Sequence, residues 1–142
     1  MTIQEKQEEI IEEFSFFEDW MDKYEFIIEL GKNLPLIDPS LKTKEYVING
    51  CQSQVWLNAE VNNDSKVQFT ADSDAVITKG IIALLIRVLS DQEPGEIANS
   101  DLYFIDKIGL REHLSPTRSN GLVSMVKQMK LYGIALQNKL AS

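Results

Sequence analysis

The chain has 142 residues, 44% of them hydrophobic and 25% charged, with a formal net charge of −8. Such proportions belong to ordinary globular proteins with a proper core, and the acidic balance argues against nucleic acid, whose binding rests on Lys and Arg. The longest apolar run, Ile81 to Ile86, stops at Arg87, far short of the ~20 residues a bilayer span needs.

An acidic surface suits a partner with a basic patch instead. The single cysteine cannot form an internal disulfide, which fits a reducing compartment. The opening Met1-Thr2-Ile3-Gln4-Glu5 is polar, unlike a signal peptide. The expectation is a cytoplasmic protein made of one domain over residues 1–142.

Thr2 and Glu5 have the spacing of a capping box and open a first helix that runs to about Phe16 with Ile3, Ile10, Ile11 and Phe14 on its apolar face. Asp19 is placed to cap a second helix, with Tyr24, Ile27 and Ile28 on its buried side and Gly31 near its end. Pro35 and Pro39 impose an irregular connection. Tyr46 to Ile48 reads as a short strand. Val55, Leu57, Ala59 and Val61 alternate with polar or exposed positions, and after the Asn62–Ser65 turn Val67, Phe69 and Ala71 do the same. The pair is a hairpin with one face committed to a core.

Asp72 or Ser73 is expected to cap a long helix that begins near Asp74 and is apolar around most of its circumference through Leu89. Such a helix belongs at the centre of a core. Pro94-Gly95 interrupts the pattern. Residues 97–113 read as short helices with an edge strand at Leu102 to Phe104. Ser115-Pro116 supplies an N-cap and a first-turn proline. Leu122, Val126, Met129, Gly133, Leu136 and Leu140 form the buried stripe of a terminal helix. The class is α+β: a small antiparallel sheet packed against several helices.

Cys51 lies between two apolar stretches on a polar turn, preceded by Gly50 and followed by Gln52, Ser53 and Gln54. A free cysteine is usually a small buried hydrophobe, but this setting is one that presents a sulfur. Gly50 to Trp56 (GCQSQVW) resembles the signature of the SufE family of sulfur-acceptor proteins. Tyr24 to Pro35 (YEFIIELGKNLP), Asp72 to Ala83 (DSDAVITKGIIA) and Leu114 to Met125 (LSPTRSNGLVSM) match in order. The resemblance implies the SufE/IscU-like fold. It further implies that Cys51 takes persulfide sulfur from a cysteine desulfurase of the SufS or CsdA type, stimulates that enzyme and passes the sulfur to a SufB-like scaffold for iron–sulfur cluster assembly. Pyridoxal phosphate belongs to the desulfurase, and no cofactor is expected here. Gly50, Gln52, Ser53, Gln54, Asp74 and Arg118 are the expected supporting or partner-facing residues.

One Cys and one His are too few for an iron–sulfur cluster or a structural zinc. The alternative activity is a cysteine-dependent hydrolase or transferase, which needs His113 within hydrogen-bond reach of Cys51. A conflict attends any carrier thiol, which must reach a partner yet escape oxidation. The expectation is that Cys51 points inward at rest, shielded by Val47, Ile48 and Val55, and turns outward about Gly50 when the desulfurase docks.

Overall fold

The computed structural model describes residues 1–141. Helix α1 (Ile3–Ser15) starts with the capping box in full, Thr2 and Glu5 each accepting the other's backbone N–H. Helix α2 (Trp20–Gly31) is capped by Asp19, whose carboxylate accepts the Asp22 N–H. A 3-10 turn at Pro39–Leu41 follows. Strands β1 (Val55–Val61) and β2 (Val67–Ser73) pair antiparallel, with Leu57 opposite Ala71 and Val55 opposite Ser73. That register sets Val55, Leu57, Val67, Phe69 and Ala71 on one face, all of them buried, as the two-residue period of the sequence requires.

Helix α3 (Val76–Leu89) runs through the core with ten buried residues. It crosses α2 at contact distance because both helices carry a glycine there. A Cβ on Gly80 would lie 2.2 Å from the Ile27 carbonyl oxygen, and one on Gly31 would lie 2.8 Å from the Gly80 nitrogen. Arg87 ties α3 to α1 by hydrogen bonds to Glu9 and Glu13. Buried Gln7 of α1 donates to the Asp101 carbonyl and accepts from the Phe104 N–H. Three short helices follow, α4 (Pro94–Ala98), α5 (Phe104–Lys107) and α6 (Leu110–His113), and then the long α7 (Pro116–Ala141). Ser115 caps α7 by accepting the Arg118 N–H.

Four expectations change. Tyr46 to Ile48 is no strand but one antiparallel bridge, Val47 to Trp56, held by Ile48 N–H to Val55 O and Leu57 N–H to Tyr46 O. The chain leaves that alignment at Gly50, whose φ of +94° turns it away. Leu102 to Phe104 forms no edge strand, because the Phe104 N–H is taken by Gln7 and Phe104 opens α5. On the outer side of β2, Val67 bonds Gln92 and Asp91, while Ala71 bonds Pro35 and Ile37. Neither Asp72 nor Ser73 caps α3; Ala75 occupies that position, and the two side chains serve the sheet end and the loop before it. Leu140, last of the α7 stripe, is exposed. No helix among the described residues is long and apolar enough to cross a membrane.

Candidate functional site

Cys51 sits where the loop before β1 passes between the start of α3 and the first turns of α7. The loop is fixed mainly through its backbone. The Gln54 N–H donates to the Asp74 carboxylate at 3.0 Å, and the Gln54 carbonyl accepts from the Ser73 hydroxyl at 2.8 Å and from the Asp74 N–H at 3.3 Å. Ser53 donates to the hydroxyl of buried Thr78 at 3.2 Å. Asp72, beside this junction, pairs with Lys42 and Lys79. Burial raises its pKa, but the Lys42 ammonium, the Ser73 N–H and Lys79 together outweigh burial and hold the carboxyl below its ordinary range.

The other wall is α7. Gly50 lies against it, and a Cβ there would stand 2.4 Å from the Ser124 hydroxyl. The positive φ of position 50 disfavours a side chain, and a Cβ there would also make the Ser124 hydroxyl turn away. Gly121 borders the thiol: Cys51 Sγ lies 3.7 Å from the Gly121 carbonyl, in the geometry of a weak S–H donor. A Cβ at Gly121 would meet that sulfur at 3.5 Å.

A cleft of about 400 Å³ opens in front of the sulfur. Its floor is Thr78 and Ile81 of α3 with Met125 of α7, and its mouth holds Gln52, Asp74, Thr117 and Arg118. Cys51 is half-buried. Desolvation pushes its pKa above the ordinary thiol value, so the resting group is the neutral thiol near pH 7. Arg118 is exposed at the cleft mouth, and its guanidinium makes no hydrogen bond or ion pair among the described residues. A desolvated thiol facing an unpaired cation gains thiolate character if the two approach.

Of the expected residues, the structure brings Cys51, Gln52, Ser53, Asp74 and Arg118 to one cleft. Gly50 shapes the turn from behind, and Gln54 contributes through its backbone. The shielding pocket differs from expectation. Ile48 and Val55 are core residues, and neither they nor Val47 line the cleft; α3 and α7 cover the sulfur instead. His113 is not at the cleft. Its ring stacks on Trp20, centroids 4.2 Å apart and planes 14° apart. The imidazole that a cysteine hydrolase requires is thus absent from the lining of the cleft. Trp56, half-buried on the outer sheet face, lies under the Lys42 ammonium at 5.3 Å.

Sequence reasoning did not single out Thr78, Ile81, Gly121 or Met125. The available signal is helical spacing: Thr117, Gly121 and Met125 are four apart, as one face of α7 requires, and all four residues fall inside the stretches that carry the family resemblance.

These elements make a small α+β protein that presents its only cysteine from an ordered loop into an interhelical cleft. Comparison with known proteins gives that arrangement its family. The family model SufE, described as an Fe-S metabolism associated domain, matches residues 8–132. An uncharacterized SufE-like protein of Rhizobium meliloti (strain 1021) is 41% identical over 127 residues, 87% of this chain and 91% of the relative. The SufE-like protein 1, chloroplastic/mitochondrial, of Arabidopsis thaliana is 40% identical over 134 residues, 94% of this chain and 36% of that longer protein. The solution structure of a hypothetical protein from Thermus thermophilus has the same fold, with a TM-score of 0.76 over 96% of this chain and 97% of that one at 20% identity. The chain belongs to the SufE family, whose place is in Fe–S metabolism.

Proposed function

We propose that the protein is a sulfur acceptor and carrier: Cys51 takes sulfur from a cysteine desulfurase and hands it on for iron–sulfur cluster assembly. The observation that carries this reading is the single half-buried thiol at a cleft with an unpaired arginine at its mouth, in a chain of the SufE family. In the transfer, the Cys51 thiolate attacks the outer sulfur of the desulfurase persulfide. The Cys51 Sγ–S bond forms, the desulfurase S–S bond breaks, and the desulfurase cysteine leaves as the thiolate, as in thiol–disulfide exchange. The proton that Cys51 loses balances the one the departing thiolate takes up. A second cysteine nearby would displace the cargo by closing a disulfide, so one thiol serves the task. Onward delivery to a SufB-like scaffold repeats the exchange with Cys51 as the leaving group.

The partner's role is to shift the resting state. Burial keeps the thiol neutral, and opening the loop toward Arg118 exposes it as a nucleophile. Opening must break the Gly50–Ser124 contact and the Cys51–Gly121 interaction while α3 and α7 keep their packing, since loop motions are the low-cost ones. The reaction is expected in the cytoplasm, with pyridoxal phosphate held by the desulfurase. The test is desulfurase turnover on cysteine with and without this protein. Wild type should raise turnover and Cys51→Ser should not; equal stimulation by the serine variant would overturn sulfur acceptance by Cys51.

A further inference from the structure

The turn between α1 and α2 sends its aromatic residues in two directions. Phe14 and Phe17 pack with Phe26 in an inward cluster, whereas Phe16 is 78% exposed and Met21, the second residue of α2, is 66% exposed. Trp20 lies between these two exposed side chains in sequence and stacks on His113. The surroundings are electrically one-sided. Residues 1–31 hold ten of the 22 acidic side chains but two of the 14 basic ones, so this pair of helices, the α1–α2 hairpin, carries the whole net charge of −8 and the rest of the chain is neutral. Glu9 and Glu13 are engaged by Arg87. Exposed Glu12, Glu18, Asp22 and Glu25 pair with no cation among the described residues.

We propose that Phe16 and Met21 are the apolar anchors of a docking surface for a basic face of the cysteine desulfurase. The partner's identity rests on the sulfur-acceptor reading, and its charge on complementarity with the hairpin. Position argues for the same partner. His113, stacked on Trp20, precedes Arg118 of the cleft mouth by five residues, so at most about 17 Å of chain separates them. The Trp20–His113 stack thus ties the α1–α2 turn to the segment that leads into the cleft mouth. Exposed aromatic and methionine side chains ringed by polar groups are the composition of interface anchors, and the acidic rim steers the encounter.

The test is association of the full chain with its purified desulfurase, measured as rates and Kd at about 0.1 M and about 1 M salt, where the Debye length falls from about 10 to about 3 Å. Phe16→Ser/Met21→Ser should weaken Kd about tenfold or more, with Tm unchanged because both side chains are exposed, and Phe16→Trp should retain affinity. Glu18→Lys/Glu25→Lys should slow association several-fold at the lower salt and have little effect at the higher. Wild-type binding with both double variants unaffected overturns the docking surface alone. Absence of wild-type binding overturns the sulfur-acceptor reading and this surface with it.

Discussion

The α2–α3 crossing and the Cys51 cleft are both built on glycines, and the two regions use them for opposite ends. At the crossing, Gly31 and Gly80 let two helix backbones touch, and no room remains. At the cleft, Gly121 leaves a gap that a sulfur partly fills, with ordinary van der Waals spacing around it. The crossing is part of what makes the core rigid; the cleft keeps one reactive atom half-covered beside open volume. A glycine in a family signature therefore has no single meaning: the atoms around Gly80 exclude a side chain, whereas those around Gly121 would meet a methyl group at ordinary contact distance.

The sharpest way to break this contrast is one substitution in each region. Gly80→Ala places a methyl 2.2 Å from a backbone oxygen, so α2 and α3 must separate, and a loss of about 3 kcal/mol is expected, read as a large fall in Tm. Gly121→Ala meets Cys51 at 3.5 Å and should change stability by less than about 1 kcal/mol while altering the alkylation rate of Cys51. Equal destabilisation by the two would erase the distinction.

Asp74 joins the cleft to the sheet end. Asp74→Ala removes the acceptor for the Gln54 N–H, with an expected loss of about 1 kcal/mol and faster alkylation of Cys51 as the loop loosens. Denaturant unfolding and iodoacetamide kinetics read the two effects separately.

Arg118→Ala should leave stability within about 0.5 kcal/mol, as for a surface side chain away from special features, yet reduce sulfur transfer. A clear fall in Tm with transfer intact would make the arginine structural.

The smallest effect is a pH dependence. Burial raises the Cys51 pKa, so alkylation of the free protein should increase with pH later than for an unfolded cysteine peptide. The linked stability contribution has one sign: the unfolded chain releases this proton first. The contribution is complete below the ordinary thiol pKa and is lost as pH rises through the higher folded value. Addition of a desulfurase lacking its own active-site cysteine should accelerate alkylation. Fast alkylation of the free protein, unaffected by the partner, would contradict the shielded resting state.

Local chemistry was legible in the sequence where one residue acts on its neighbours. The Thr2–Glu5 capping box, the Asp19 cap, the Ser115–Pro116 start and the two-residue alternation of the hairpin all form as their residues dictate. The failures have tertiary causes. Leu102 to Phe104 has strand-like composition, but the buried Gln7 side chain claims the Phe104 N–H. Ser73 looks like a helix cap, yet it completes β2 opposite Val55 and donates to Gln54. Cys51 and its loop were visible as a polar turn around one thiol, and Asp74 and Arg118 came from the family resemblance. Thr78, Ile81, Gly121 and Met125 join the site only because α3 and α7 converge on the loop, and the sequence of either helix alone does not record that convergence. His113 stood out as the only imidazole, and its stacking on Trp20 places it away from the thiol's surroundings.

The most direct test of the central claim is the mass of the protein after incubation with cysteine and a cysteine desulfurase, followed by peptide mapping without reductant. Sulfur acceptance predicts a gain of one sulfur atom, located on the peptide containing Cys51, removed by dithiothreitol and absent from Cys51→Ser. An unmodified Cys51 peptide under conditions in which the desulfurase turns over with this protein bound would contradict it.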